Sequence, residues 1–352
     1  MQLMKTTQEE SYNLLKILAI FMVLASHMMN VVELVPPEDM HALQLHNAVR
    51  AFLLTSNGLF FMLSGRFLLS QFDGKILDFY WKRLVKIGIP VAAASLFYYS
   101  ISRKWEGMGL ACVKDFLKTF LQSHIEGYFW FVYALAGFYL AVPFLARMFR
   151  NMSREEKRAL TGISVAFFFL QNLYQIFQME MVFTAYPFYS WVFYCMLGYL
   201  VDSMELTAKT KKWLMLGGVV AWGISVWEVC FWTKTNPAIY NYSVSMIAMT
   251  TAVYLAVTGW GKKLAERFHV PVHFIAQRSF YIYLMHGLTQ KIVGEVLAWK
   301  LGVVWKGWGC WLLLSLISFI LALGIGCILD WIYQPIARRL LTNAVFVSGG
   351  KQ

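Results

Sequence analysis

The run NLLKILAIFMVLASHMMN, residues 13–30, indicates what kind of protein this chain is. It is long enough to cross a bilayer, because an apolar helix of about 20 residues spans the hydrocarbon core. Two ionisable side chains, Lys16 and His27, interrupt it. Ionisable groups are costly inside a membrane, so they usually face a bundle interior or a water-filled cavity and mark functional sites. The run therefore predicts a membrane helix that carries part of such a site.

The composition extends this prediction to the whole chain. Of its 352 residues, 59% are hydrophobic and 14% are charged, whereas soluble domains contain about 25% charged residues. The five cysteines show no spacing typical of a zinc site or a disulfide framework. No phosphate-binding loop, dinucleotide fingerprint or nucleic-acid-binding motif is present. We therefore expect a polytopic membrane protein that needs no metal and binds no nucleic acid.

The pattern of apolar stretches predicts an all-α bundle of about ten transmembrane helices. The predicted spans are 12–32, 48–70, 83–102, 128–149, 160–179, 186–202, 212–232, 241–260, 275–297 and 308–334. We find no internal repeat and no long linker. A single membrane domain is therefore expected over residues 1–340, followed by a short tail over 341–352.

The distribution of basic residues predicts the orientation. With ten spans both termini lie on one side, and the segments on that side carry more than twice as many Lys and Arg residues as the other segments. Because cytoplasmic loops are enriched in Lys and Arg, both termini are predicted to be cytoplasmic. This asymmetry accounts for most of the net charge of +12. Between the third and fourth spans, LACVKDFLKTFLQSHIEGY (110–128) predicts an amphipathic helix on the membrane surface.

The spacing of Lys16 and His27 places both side chains on one helix face. Eleven residues are close to three helical turns, and at 1.5 Å per residue the two positions are about 16 Å apart. Lys16 alone is also compatible with a lysine that extends to the membrane interface. His27 in the outer half could be a hydrogen-bonded packing histidine or a functional imidazole.

Four further segments complete a recognisable pattern. They are FFMLSGRFL (60–68), WKRLVKIGIP (81–90), YFWFVYALAGFYLAVPFL (128–145) and SFYIYLMHGL (279–288). Together with a basic residue followed by a histidine in the first span, they resemble motifs of the acyltransferase 3 family, bacterial membrane enzymes that acylate surface glycans. The chain departs from the family pattern in having Lys16 where Arg is commoner and Arg66 where an aromatic residue is usual. Its DWIYQPIAR segment also lacks the Glu-x-Pro often seen at the family's end.

The resemblance implies an activity and a location. It implies an acyl-CoA-dependent O-acyltransferase, most often an acetyltransferase, in the bacterial cytoplasmic membrane. Such an enzyme transfers the acyl group from cytoplasmic acyl-CoA to a hydroxyl of an extracytoplasmic polysaccharide or lipid-linked glycan. The chain resembles the stand-alone type, which has no extracytoplasmic hydrolase-like domain. The expected partners are acyl-CoA, the glycan acceptor and membrane lipids.

Catalytic roles are expected for His27, His286 and Glu126. His27 is the expected general base for the acceptor hydroxyl, because an imidazole is suited to proton transfer near neutral pH. A transient acyl-histidine on His27 remains an alternative. His286 or Tyr283 is expected to donate a hydrogen bond to the oxyanion. Glu126 is expected to orient an imidazole or to bind the acceptor, although an ordinary solvated carboxylate explains it equally well.

The cations near the cytoplasmic side are expected to bind the phosphates of the donor. This donor site comprises Lys16, Ser64, Arg66, Arg83 and Lys86. The alternative for Lys86 is ordinary positive-inside flanking. Trp130 and Tyr283 are expected to bind the acceptor, but Trp130 is also placed like an interfacial anchor and Tyr283 like a packing residue.

A second class of function, transport, is also compatible with these features. About ten spans with charges inside the membrane also suit a transporter or flippase of a small polar solute or a glycan precursor. Many transporters contain inverted repeats and matching pairs of helices broken by Gly or Pro. The chain shows neither pattern, so transport is the second hypothesis.

Overall fold

The computed structural model describes residues 2–36, 39–102, 109–177, 179–180, 186–228 and 243–348. The described chain is built from fourteen α-helices, with short π-helical and 3₁₀ turns between some of them. They are α1 (Gln2–Met28), α2 (Met40–Gln71), α3 (Ile76–Arg83), α4 (Ile89–Ser102), α5 (Leu110–Leu121), α6 (Trp130–Asn151), α7 (Arg154–Ile176), α8 (Trp191–Ser203), α9 (Ala208–Trp227), α10 (Val244–Trp260), α11 (Lys262–Arg267), α12 (His269–Gln290), α13 (Leu297–Leu301) and α14 (Trp308–Ser348).

The predicted all-α class is confirmed for the described residues, among which no β-strand occurs. Five helical segments are long and apolar enough to cross a membrane: Glu9–Met28, Met40–Gln71, Ile76–Ser102, Gly127–Asn151 and Trp308–Thr342. Helix α10 is apolar but shorter. Each of the ten predicted spans lies largely on a helix, yet five of them meet the criteria of length and composition. Ten crossings and cytoplasmic termini therefore stay predictions.

Helix α1 is packed at the centre of the bundle. It contacts α2, α10, α11, α12 and α14, and several of its side chains, including Leu15, Ala19 and Ala25, are fully buried. After α1, a backbone bridge between Glu33 and Lys306 joins the chain to the segment that precedes α14. The side chains of these two residues also form an ion pair of 2.9 Å. The chain beyond the C-terminal end of α1 is thereby joined to the segment before α14, while α1 itself packs against α2 and α12.

Two glycines allow α2 and α8 to pack backbone to backbone. A Cβ atom on Gly65 would lie 1.7 Å from the carbonyl oxygen of Cys195, and one on Gly198 would lie 1.9 Å from that of Met62. Small residues commonly permit such close approach between membrane helices. Gly65 and Gly198 therefore serve the packing of α2 against α8.

A π-helical turn over Leu84–Gly88 separates α3 from α4. Pro90 lacks an N–H group and cannot donate to the carbonyl four residues earlier, so the regular ladder is broken at this point. The N–H of Ile89 donates instead to the carbonyl of Leu84, five residues back. Such widened turns are frequent at functional sites, and this one begins directly after Arg83.

The helix predicted over 110–128, between the third and fourth spans, is confirmed over its first part, because α5 covers Leu110–Leu121. None of its residues is buried, and four apolar side chains are exposed at spacings of three, four and four residues, which places them on one face. They are Leu110, Val113, Leu117 and Leu121. Its position on the membrane surface stays a prediction. At the other end of the chain, α14 continues beyond residue 340 and includes the first part of the predicted tail.

Candidate functional site

A cavity of about 270 Å³ lies between α1, α2, α6, α12 and the segment around the π-helical turn. Its lining is mostly aromatic and aliphatic, with two cationic side chains and two serines. The lining residues are Lys16, Phe60, Leu63, Ser64, Phe67, Leu68, Arg83, Ile87, Phe131, Leu135, Tyr139, Ser279, Phe280 and Tyr283. Lys16, Ser64, Arg83 and Tyr283 were expected at a site from the sequence, and the fold brings them together here.

The two cations of the cavity lie against aromatic rings. Lys16 Nζ is 5.0 Å from the centre of the Phe67 ring. The guanidinium of Arg83 lies 5.1 Å from the centre of Phe79 and 5.7 Å from that of Tyr139. In the described part of the chain neither cation forms an ion pair with a carboxylate, and Arg83 Nε is buried without a hydrogen-bond partner. Two cations without a paired carboxylate favour an anionic ligand.

The two histidines of the predicted site meet between α1 and α12. The ring centres of His27 and His286 are 5.1 Å apart, with 44° between the ring planes. The ring of Tyr128 packs against both, 4.2 Å from His286 and 6.1 Å from His27. His286 is fully buried, its Nδ1 lies 2.5 Å from the carbonyl oxygen of Tyr283, and its Nε2 is buried without a partner in the described structure.

Side chains from neighbouring helices fix the end of α1 that carries His27. The last carbonyl groups of a helix have no partner within it. Gln290 Nε2 donates to the carbonyl of His27 at 2.9 Å, and Trp311 Nε1 donates to that of Ala25 at 2.8 Å. Next to His286, a Cβ atom on residue 287 would lie 2.4 Å from the Tyr128 ring. Gly287 is therefore needed for Tyr128 to pack on the imidazole.

An aromatic layer separates the cavity from the histidine pair. Tyr283 lines the cavity, and its ring centre is 5.6 Å from that of His286 and 5.5 Å from that of Phe131. Its hydroxyl donates to the carbonyl oxygen of Tyr128 at 2.5 Å. The cation-bearing cavity and the imidazoles are thus neighbours on the α1–α12 seam, with Tyr283 between them.

Arg66 lies outside the cavity lining. Its guanidinium forms an ion pair with Asp202 of α8, and the Tyr12 hydroxyl donates to the same carboxylate. The hydroxyl of Tyr254 also donates to Asp202, at 3.3 Å. A guanidinium already paired with a carboxylate is poorly suited to bind a phosphate, so this geometry favours a structural role for Arg66. Lys86, likewise expected at the donor site, is exposed and does not line the cavity.

We expect Arg66→Gln to lower stability and to leave the donor KM unchanged. The side chains of Arg66 and Asp202 are 25% and 20% exposed. Loss of an exposed ion pair lowers the free energy of unfolding by about 0.2–1 kcal/mol, and loss of one partner of a buried pair lowers it by about 3–5 kcal/mol. The effect of Arg66→Gln should lie between these two ranges. Thermal unfolding of the purified protein and acetyl-CoA kinetics measure the two effects. A large rise in the donor KM with unchanged stability would restore the donor-binding role of Arg66.

Glu126 directly precedes the 3₁₀ turn Gly127–Phe129, and Trp130 is the first residue of α6. The Glu126 carboxylate accepts from Lys291 Nζ at 2.9 Å, and no described hydrogen bond joins it to an imidazole. Trp130 packs in an aromatic cluster, 5.1 Å from Trp191 and 6.4 Å from Phe61, measured between ring centres. Neither residue lines the cavity, and neither contact tests the roles expected from the sequence.

Three contributors to the site were not identified from the sequence. Tyr128 packs on the imidazoles. Gln290 holds the end of α1, and Gly287 leaves space for the Tyr128 ring. Gly287 directly follows His286 within a span, which is a signal for close approach. Gln290 and Tyr128 lack such a signal, because their partners are distant in the chain.

Comparison with known proteins assigns the family. A family model described as an acyltransferase domain, that of the acyltransferase 3 family, matches residues 9–331. No curated protein and no solved structure matches the chain. The match covers Lys16, His27, the cavity lining and the α1–α12 seam. The chain therefore belongs to the acyltransferase 3 family and is a multi-pass membrane acyltransferase.

Proposed function

We propose that this protein transfers an acetyl or similar short acyl group from cytoplasmic acyl-CoA to a hydroxyl of an extracytoplasmic polysaccharide or lipid-linked glycan. In this proposal Lys16 and Arg83 bind the phosphates of the donor and His27 is the general base. The host membrane is the bacterial cytoplasmic membrane, with both termini in the cytoplasm.

The observation that carries the proposal is the arrangement of charge along α1. Lys16 and Arg83 share one cavity, and among the described residues neither forms an ion pair with a carboxylate. His27 lies three turns further along the same helix as Lys16, about 16 Å away. A donor with a phosphate-bearing head, a long flexible arm and a terminal thioester suits such a separation. The head would lie at the cations while the thioester approaches the imidazole.

The chemistry of the proposed step requires one base and one departing thiolate. His27 takes the proton from the acceptor hydroxyl while the oxygen attacks the thioester carbonyl. The carbon–sulfur bond breaks, the ester remains on the acceptor, and the proton from His27 returns to the CoA thiolate. The products are an acylated glycan and free CoA, so atoms and charge balance without an added co-reactant.

The family assignment favours this transfer reaction over transport of a solute. The aromatic layer of Tyr283 and Phe131 supports the same choice. A transport route would have to open through these packed rings for the whole solute. A transferase requires passage of only the narrow acyl-thioester end of its donor.

We expect Arg83→Ala to raise the KM for acetyl-CoA about 10- to 100-fold, since a hydrogen bond to a charged group contributes about 1.5–3 kcal/mol. The kcat should change little, because a phosphate far from the reacting carbonyl is bound equally in the ground and transition states. Release of CoA thiol from acetyl-CoA by the purified protein, with cell-envelope membranes as acceptor source, measures both constants.

The matched control for Arg83 is Lys86→Ala, which removes an exposed cation from the π-helical turn that begins directly after Arg83. It should leave the donor KM within about twofold, as expected for an exposed charge. Equal effects of the two variants would show that general positive charge at this surface, and not the cavity, attracts the donor. If the unaltered protein neither binds CoA nor releases thiol from acetyl-CoA, the proposed donor is wrong.

The acceptor is tested in cells. Mass spectrometry of envelope glycans from cells with and without this protein should reveal acetyl esters that depend on it. Expression of the His27→Ala variant is the control, because it supplies the same amount of membrane protein without the base. If cells that lack the protein acylate all their envelope glycans to the same extent, the proposed acceptor class is wrong.

A further inference from the structure

The hydrogen bond between His286 Nδ1 and a backbone carbonyl determines which ring nitrogen of His286 carries a proton. Nδ1 lies 2.5 Å from the carbonyl oxygen of Tyr283, and a carbonyl can only accept, so Nδ1 must carry the hydrogen. A neutral imidazole has one N–H group, so Nε2 holds a lone pair. A second proton would place an unpaired cation on a fully buried side chain, which is costly.

This arrangement disagrees with the oxyanion role expected for His286 from the sequence. A donor to an oxyanion needs a hydrogen on the nitrogen that faces the reaction, and Nε2 has none while Nδ1 is bonded to Tyr283. The Tyr283 hydroxyl, the other expected donor, is itself engaged by the carbonyl of Tyr128. Nε2 of His286 is therefore a buried hydrogen-bond acceptor that lacks a partner in the described structure.

The ring of His27 is in position to supply the missing donor. Two imidazoles joined by a linear N–H···N bond have ring centres about 5 Å apart, from a nitrogen separation of about 3 Å plus two ring radii of about 1.1 Å. The observed separation is 5.1 Å. In the described structure neither ring nitrogen of His27 has another hydrogen-bond partner. The planes of the two rings are tilted by 44°, and the bond would require the His27 ring to turn so that one N–H points towards Nε2.

We infer that His286 is a positioning residue for His27, accepting at Nε2 a hydrogen bond from one ring nitrogen of His27. This inference rests on the proposed function. The bond leaves the opposite nitrogen of His27 unprotonated and directed at the acceptor hydroxyl. When His27 takes the proton from that hydroxyl, the bond to Nε2 becomes charge-assisted and stronger. The carbonyl of Tyr283, three residues before His286 on α12, holds the imidazole of His286 through Nδ1.

The arrangement of donor and acceptor resembles the part that an acidic residue plays in hydrolase triads, where it holds the imidazole in the required tautomer. Here the acceptor is a neutral ring nitrogen whose own tautomer is fixed by a backbone carbonyl. Tyr128 packs against both rings and keeps them next to each other. Gly287 leaves the space that the Tyr128 ring occupies.

The test compares three variants on α12 using thiol release from acetyl-CoA, with water and cell-envelope membranes as probe acceptors. His286→Leu removes the acceptor and should lower kcat at least about tenfold, which is a part of the about 10²- to 10⁴-fold contribution of a general base. The KM for acetyl-CoA should stay within about twofold. His286→Gln, whose side-chain oxygen can accept the bond, should recover most of the lost kcat.

Thr289→Val is the matched control, because it removes the buried hydrogen bonds of the Thr289 hydroxyl to the backbone carbonyl of His286 and to Ser318 but leaves the imidazole of His286 in place. It should retain nearly full kcat at a similar unfolding temperature. Full activity of His286→Leu would overturn the inference, as would equal losses in all three variants or a loss confined to the donor KM. A wild-type protein inactive with both acceptors would instead count against the proposed function.

A measurement on the unaltered protein covers the case in which the variants do not fold. Solid-state ¹⁵N NMR of histidine-labelled protein in lipid should show His286 with a protonated Nδ1 and an unprotonated Nε2. A protonated Nε2 would overturn the inference.

Discussion

Replacement of His27 by alanine should abolish acyl transfer and spare donor binding. A general base contributes about 10²- to 10⁴-fold to the rate, so kcat should fall at least about 10²-fold. The cations that would bind the donor phosphates lie in the neighbouring cavity, beyond the layer formed by Tyr283. The affinity for CoA should therefore stay within about twofold. Thiol release from acetyl-CoA and calorimetric binding of CoA measure the two quantities.

The matched control for this prediction is His269→Ala, which removes an exposed imidazole at the start of α12. Its kcat and CoA affinity should both equal those of the unaltered protein. An active His27→Ala variant would exclude His27 both as base and as acyl carrier. Acid-quenched protein analysed by mass spectrometry separates these two roles, because only the acyl carrier yields a His27 peptide that bears the acyl group.

The sequence predicted the part of the site that lies on one helix. Lys16 and His27 are related by helical period alone, so their shared face follows from α1 being regular. The structure places both on the side of α1 that faces α12, with Lys16 at the cavity and His27 at His286. Periodicity within a single span is local information, and it is therefore read reliably from sequence.

The partners of the charged side chains could not be predicted in the same way. Arg66 and Asp202 are on different helices, α2 and α8, and nothing in either segment indicates that they pair. The same holds for Arg278 of α12 and Asp330 of α14, which form an ion pair of 3.0 Å. Such pairs depend on which helix faces which, and this is decided by packing over the whole bundle.

The helix count shows a similar limit. Hydropathy indicates where apolar segments lie, and the described part of each predicted span lies largely on helix. It does not indicate how much of each helix is in contact with lipid. Helix α8 is apolar and mostly buried but has only 13 residues, whereas α12 has 22 residues and carries His, Gln and Arg side chains among the apolar ones.

Replacement of Gly65 by alanine should destabilise the protein severely. The added Cβ would lie 1.7 Å from the backbone oxygen of Cys195, and a backbone atom cannot rotate away as a side chain can. The two helices must move apart, which also separates Gly198 from Met62. Overpacking usually costs about 1–3 kcal/mol, and a backbone clash that opens a whole helix contact should exceed this range. Thermal unfolding and the yield of monodisperse protein measure the loss.

Gly137→Ala is the matched control, because a Cβ atom at that position of α6 meets no atom within 4 Å. It should be neutral or slightly stabilising, since alanine favours helix over glycine by about 1 kcal/mol. Gly198→Ala should reproduce the effect of Gly65→Ala, and the double variant should lose less than the sum, because one separation of α2 from α8 relieves both clashes. Additive losses would mean that the two glycines serve separate contacts. A stable Gly65→Ala variant would show that α2 and α8 are not packed backbone to backbone in the membrane.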